Sequence, residues 1–296
     1  MSAASAGRPH VVALGGGHGL ASTLTAARRY AGRLTAVVSV ADDGGSSGRL
    51  REIAGIPAPG DLRRCLVAMA AAGSPWAPAF EYRFPAGSGD LEGHALGNLI
   101  IAGLANVTGD FTEALDRAAE LLRTVGRVLP ATTVPAVLTA QVAGQQVVGQ
   151  VNVSETDGPI TRLAISPADA PVPDEVVESI CGADQVVLGP GSLFTSVLAV
   201  AAVPGIRRAL EGRRSGRVYV CNLRPQPPET AGYSDADHLR AVLDHGIPVD
   251  VMVAPGPGDG PAEAIHGVRV VRARLGLDDG SGHEPGALAA VLSRLT

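Results

Sequence analysis

Aromatic side chains are scarce in this chain: they make up 3% of 296 residues, so a core has to be assembled from Ala, Val and Leu. Cysteine is equally sparse. Cys65, Cys181 and Cys221 lie far apart with no C-x-x-C spacing, which argues against a disulfide framework or a zinc site and fits a reducing cytosol. No apolar run approaches the roughly 18 residues of a membrane span, and Met1 to Pro9 is small and polar, without the hydrophobic stretch of a secretion signal. The expectation is a cytoplasmic protein that does not insert into a membrane. Excess positive charge is lacking too. A formal net charge of −5 argues against a nucleic-acid partner, and the one basic cluster, Arg207-Arg208 with Arg213-Arg214, reads as a solvated helix end. Neither G-x-G-x-x-G nor G-x-x-x-x-G-K-[ST] occurs in the first glycine loop, and no Ser-His-Asp or Cys-His set stands out.

What is present is an ordinary core composition, 46% apolar and 18% charged residues, and a βα pattern at the start. His10 to Leu14 is a β-branched run, Gly15-Gly16-Gly17-His18-Gly19 is a loop with almost no side chains, and Leu20 to Tyr30 has helical spacing. Glycines there let the backbone approach a phosphate, the helix start offers unpaired N–H groups, and Ser22 and Thr23 add hydroxyls. The alternative is a tight turn that merely needs positive φ. After the buried-strand run Leu34 to Val40 comes a polar loop, Ser39 to Arg51, that joins Asp42 and Asp43 to Gly44, Gly45, Ser46, Ser47 and Arg49. An acidic pair at that distance from a glycine turn is where such folds recognise ribose hydroxyls.

Asp61 sits at the start of the next helix, Leu62 to Ala72, with Arg63 and Arg64 in its first turn. Cations oppose the helix dipole there, so at least one arginine is expected to reach an anion. Gly93 to Leu104 reads as a buried helix carrying His94 and Asn98 on one face, thinned by glycines as if something approaches closely. Asp110 caps the amphipathic helix Phe111 to Thr124. Then the period changes to two: Val137 to Val142, Val147 to Val153 and Ile160 to Ile165 read as a hairpin and a third strand. The second half returns to α/β alternation. There the strand Gln185 to Leu188, the turn Gly189-Pro190-Gly191-Ser192 and a helix with Thr195 and Ser196 in its first turn repeat the opening arrangement, and Asn222 ends the strand Arg217 to Cys221. If both turns lie on one sheet edge, Ser192, Thr195 and Asn222 share a crevice with the first loop. Val249 to Val253 and Val268 to Arg274 read as further strands, with turn-rich loops at Pro255 to Gly260 and Asp278 to Pro285. The fold class expected is α/β, one domain over 1–296. It has a Rossmann-like, mostly parallel sheet with helices on both faces, a helical segment at about 60–125 and an antiparallel insertion at about 134–165.

The chain resembles the YvcK-like family of gluconeogenesis factors within the wider CofD-like superfamily. The resemblance rests on Gly15 to Leu20, Val40 to Arg51, Pro59-Gly60-Asp61-Leu62-Arg63, Gly93-His94-Ala95-Leu96-Gly97-Asn98-Leu99, Leu129 to Thr132, Gly189 to Ser196 and Tyr219 to Leu223, extended by Gln226 to Tyr233 with Asp237-His238. His18 stands where the family usually has Thr, and the part after Asp250 matches loosely. The resemblance implies binding of uridine-diphosphate sugars such as UDP-N-acetylglucosamine, with Gly60 joining the residues above. It also implies a role in cell shape and cell-wall control through a protein partner rather than a known reaction, with no required cofactor and a homo-oligomer admitted. CofD relatives instead imply a transferase joining a phospholactyl group to a deazaflavin from a nucleotide-activated donor, with Mg²⁺ held by Asp42 or Asp43.

Overall fold

The computed structural model describes residues 7–258 and 263–296. Met1 to Ala6 of the N-terminus, and Asp259 and Gly260 of the turn-rich loop, lie outside the described residues. Two sheets organise the chain. The larger runs in the order β10-β11-β9-β8-β7-β1-β2-β3, built from β1 (His10–Gly15), β2 (Arg33–Val38), β3 (Arg127–Pro130), β7 (Gln185–Leu188), β8 (Arg217–Val220), β9 (Val251–Pro255), β10 (Glu263–Ile265) and β11 (Val268–Ala273). Every pairing in it is parallel except that of β10 with β11. The smaller sheet is antiparallel, β5-β4-β6, from β4 (Val137–Val142), β5 (Gln145–Val148) and β6 (Ile160–Ser166).

The apolar runs explain the centre of the large sheet. Val11 to Leu14 and Ala36 to Val38 are each 0% exposed, the pattern of parallel strands covered on both faces. Helices supply the cover: α1 (Gly17–Ala27) packs with α3 (Gly60–Ala68) and α12 (Pro285–Leu292), and α8 (Asp174–Gly182) with α10 (Pro204–Glu211). Between β2 and β3 the chain inserts a helical layer of α2 (Gly45–Ala54), α3, α4 (Trp76–Glu81), α5 (Leu96–Thr108) and α6 (Phe111–Leu122). Asp110 caps α6 as its sequence indicates, accepting from the N–H groups of Thr112 and Glu113. From β1 the chain moves through β2 to β3 on one side, then returns to place β7, β8 and β9 on the other. The gap between β1 and β7 is therefore the point where strand order reverses, and in such sheets a crevice opens beyond the carboxyl ends.

Several sequence expectations change. The polar loop after β2 is helical from Gly45 onward, so Ser46, Ser47 and Arg49 belong to α2. Helix α1 begins at Gly17, inside the glycine loop, rather than at Leu20. Val147 to Val153 is not one strand: Gly149 at φ +100° turns the chain, and α7 (Gln150–Ser154) follows. His94 lies just ahead of α5 instead of on it. The turn at Gly189 opens into a π-helical stretch, Leu193–Leu198, that runs on into α9 (Ala199–Ala201). The edge strands β3 and β10 are additions that no alternation in their short sequences announces.

One ion pair ties the amino ends of β8 and β9. Asp250 accepts from the backbone N–H and Nε of Arg217 at 2.8 and 3.0 Å and from its Nη2 at 2.8 Å. Partial burial opposes the charge on Asp250, yet the Arg217 bonds outweigh it and hold the carboxyl below its usual range. Asp250→Asn should cost about 2 kcal/mol, the scale of hydrogen bonds to charged groups. Because the folded carboxyl is the stronger acid, this contribution is present above the ordinary aspartate range and is lost as pH falls through and below it. The difference between denaturant melts of the two proteins should therefore be smaller at about pH 3 than at neutral pH.

Candidate functional site at the sheet edge

The two glycine turns meet backbone to backbone. A Cβ at Gly19 would lie 2.1 Å from the Pro190 carbonyl oxygen, and one at Gly191 would sit 3.6 Å from the Gly16 oxygen. Thr23 closes the contact from α1, its hydroxyl donating to the Gly189 carbonyl at 2.8 Å. The Gly189 N–H donates to Leu14 O at 3.1 Å. The shared edge expected from the sequence is thus formed, and Gly15, Gly16, Gly17, His18, Gly19, Gly189 and Gly191 stand together. Gly17 has φ +62° with open space where a side chain would project.

Ser192, Thr195 and Asn222 reach the same edge but turn to internal partners. The Ser192 hydroxyl donates to Glu229 and contacts the Thr195 hydroxyl. The N–H groups of Phe194 and Thr195 both donate to Glu229 Oε1 at 2.8 Å. The anion that the second turn binds is therefore a carboxylate of the chain. Burial raises the pKa of Glu229 and these donors oppose the rise. Asn222 accepts from Gly191 N–H at 3.0 Å and donates to Gly191 O at 2.8 Å and Gln226 Oε1 at 3.1 Å. Its amide fixes the turn and leaves the crevice to others. Glu229 escapes sequence reasoning because it lies 37 residues from Ser192; the available signal was a helix start with two hydroxyls, which calls for an anion from somewhere.

The acidic residues divide differently from the pairing in the sequence. Asp43 is fully used in docking the insertion, accepting from Gln150 N–H at 2.9 Å and Val151 N–H at 3.0 Å. Asp42 accepts from Gly44 N–H at 3.0 Å, and its other oxygen faces Gly60, where a Cβ would lie 3.2 Å away. Its electrostatic neighbour is Asp61. Burial raises the pKa of Asp61, Arg64 lowers it, Asp42 raises it again, and the Gly17 N–H lowers it. Arg64 Nη1 lies 2.6 Å from Asp61 Oδ1, and Asp61 Oδ2 occupies the space that a side chain at Gly16 would need. Ser47 similarly fills the space over Gly60. Among the described residues no group of three His, Cys, Asp or Glu side chains converges as a metal cage would require.

Arg63 does reach an anion, and it is internal. The guanidinium is 2% exposed, pairs with Glu81 at 2.5 Å, and donates to Phe80 O at 3.3 Å and Asn98 Oδ1 at 3.1 Å. Asn98 Nδ2 donates to Ser46 Oγ at 3.1 Å, which bonds His94 Nδ1 at 3.0 Å. The chain Glu81–Arg63–Asn98–Ser46–His94 bolts α2, α3 and α5 together beneath the edge. Gly97 makes room for it, since a Cβ there would meet Phe80 and Arg63 within 3 Å. Burial, then Arg49 and Arg83, lower the pKa of His94 and favour its neutral form. Arg49 itself is exposed and donates to Glu92 O at 2.6 Å.

Next to the meeting turns lies a cavity of about 300 Å³. His18, Gly19 and Ser22 line one side, Pro190, Gly191 and Asn222 the floor, and Leu223 to Gln226 with Gly280 to His283 the far side. The last two segments were absent from the sequence-based site.

A doubly wound, mostly parallel sheet with glycine turns interlocked at its switch point defines a Rossmann-like α/β protein. The chain belongs to the CofD family: the pattern described as 2-phospho-L-lactate transferase CofD matches residues 11–260. Within that superfamily it is YvcK-like. A gluconeogenesis factor of Halalkalibacterium halodurans is 41% identical over 84% of this chain and 79% of its own length. One of Bacillus subtilis is 40% identical over 80% and 75%. A crystal structure of a UPF0052 family member from Bacillus halodurans superposes with a TM-score of 0.89 at 34% identity, covering 96% of this chain and 98% of that one.

The close approach of the turns is directly testable. In Gly19→Ala the new methyl meets rigid backbone, so stability should fall by about 1–3 kcal/mol, the cost of overpacking. His18→Ala, at an exposed neighbour, should stay within about 0.5 kcal/mol of wild type. Equal melting curves for the two variants would contradict the packing described.

Proposed function

We propose that this protein is a cytoplasmic nucleotide-sugar-binding regulator that takes a uridine-diphosphate sugar of the UDP-N-acetylglucosamine type at the carboxyl edge of its large sheet. The observation that carries this reading is the meeting of the Gly15–Gly19 and Gly189–Gly191 turns beside an open cavity at the start of α1. Bare backbone and first-turn N–H groups suit a diphosphate, with Ser22 lining the same space. Relatives named gluconeogenesis factor support a role in carbon-source use. Control of cell shape and cell-wall synthesis through a protein partner belongs to the same reading. Among the described residues no single helix is long and apolar enough to cross a membrane, which is compatible with it.

A second reading, transfer of a phosphorus-containing group onto a deazaflavin-like acceptor, draws on the CofD match and on the adjacent carboxylates of Asp42 and Asp61. Mg²⁺ is commonly held by one or two carboxylates plus phosphate oxygens, so this pair fits it while Asp43, with both oxygens taken, does not. Bound there, the ion would neutralise charge on a phosphoryl group.

Thermal unfolding with a panel of nucleotides and nucleotide sugars tests the first reading. A true ligand at about 100 times its Kd should add roughly 2.7 kcal/mol. Gly17→Asn keeps a residue that tolerates positive φ but projects an amide over the turn, and should abolish that gain while the protein remains folded. A folded Gly17→Asn protein with unchanged affinity would refute the assignment. The carboxylates separate in a further experiment. Asp42→Asn should weaken Mg²⁺-dependent ligand binding by more than about tenfold, or 1.4 kcal/mol. Asp43→Asn should mainly lower stability by undocking α7. Similar small effects on both quantities would make the pair a solvated turn.

A further inference from the structure

Resting on the nucleotide reading above, we infer that Arg224, held by the loop 276–283, is the cation that reads the diphosphate of the ligand, and that this loop is the outer wall of the site. Arg224 is the one Arg, Lys, Asp or Glu among the described residues lining the cavity. The chain contains no lysine, so the permanently charged cation that the cavity lining offers is the Arg224 guanidinium, which suits bidentate contact with phosphate oxygens. Its position is set by the loop. Arg224 Nη2 donates to Gly280 O at 3.2 Å, and Gly280, at φ +68°, leaves the space in which the guanidinium lies: a Cβ there would be 2.2 Å from Nη2.

The loop itself is fastened rather than free. Gly276 and His283 form an antiparallel bridge, and Leu277 N–H donates to Gly282 O at 2.8 Å. The buried His283 ring bonds through Nε2 to Cys221 O at 3.1 Å, directly after β8. The wall is thus anchored to the same strand end that carries Asn222. It also lies beyond residue 260, where the match to the CofD family stops. The phosphate-facing turns fall inside that match, so the wall is supplied by a part of the chain that the family pattern does not describe.

Isothermal titration of the full-length protein with UDP, UMP and uridine tests this. Arg224→Gln should raise the UDP dissociation constant at least tenfold, raise that of UMP less, and leave uridine within twofold; Arg224→Lys should recover part of the loss. Gly280→Ala keeps the charge but displaces the guanidinium, and should reproduce the UDP defect in a folded protein whose unfolding midpoint is lowered by the strain of a side chain at positive φ. If wild type binds UDP and both Arg224→Gln and Gly280→Ala bind it equally well, the inference is overturned while the nucleotide reading stands. Parallel losses for UDP and uridine would give Arg224 a structural role and also overturn it. Failure of the wild type to bind any nucleotide would remove the nucleotide reading and this inference with it.

Discussion

Where α1 begins, its backbone passes so close to the Pro190 carbonyl that no side chain fits between them. Much of the sheet edge follows from that contact. It requires glycine at position 19, a hydroxyl at Thr23 to satisfy the Gly189 carbonyl, and Asn222 to hold both polar groups of Gly191. Gly191 in turn lies over Gly16, and Gly16 leaves the space that Asp61 occupies. A row of short contacts therefore runs from the end of β8 across β7 and β1 to the start of α3. Interiors packed this tightly leave little room for one of these groups to move alone.

The protein also supplies anions to its own helix starts. Glu229 accepts from the first turn after Ser192, Asp43 from α7, and Asp61 lies beside the Gly17 N–H of α1. Helix starts favour negative charge whichever molecule brings it. The first two are saturated by well-formed pairs of bonds, so they are structural joints. At α1 the carboxylate shares its charge with Arg64, and the glycine turn beside it still faces the cavity. An external anion therefore has one helix start of the three to address.

The α/β alternation was legible because β1, β2, β7 and β8 are short β-branched runs that lead into polar or glycine-rich turns, and a buried parallel strand needs little else. The misread segments have physical reasons. Gly45-Ser46-Ser47-Gly48 has the composition of a loop, and only burial of Ser46, Ser47 and Leu50 against neighbouring helices makes it helical. Valines at 147, 148, 151 and 153 satisfy a strand pattern, yet the Asp43 carboxylate collects the N–H groups of Gln150 and Val151 and turns the segment into α7. Arg63 was expected to find an anion and did, but which one depended on Gly97 opening room toward Glu81. Pairings such as Ser192 with Glu229 or Arg224 with Gly280 join residues 37 and 56 positions apart. No local periodicity encodes them.

Asp61 shows how the folded edge stores a preference for a partner. Burial and the neighbouring Asp42 push its pKa up, against Arg64 and the Gly17 N–H. A carboxyl whose folded pKa is raised contributes stability below the ordinary aspartate range and loses it as pH rises through the shifted value. At neutral pH the edge therefore carries a cost in like-charge repulsion and desolvation, which any positive group brought between Asp42 and Asp61 would relieve. The same arithmetic sets the sign of the coupling. A cation bound there releases the proton that the fold favours, so its apparent affinity must rise with pH until Asp61 is fully ionised.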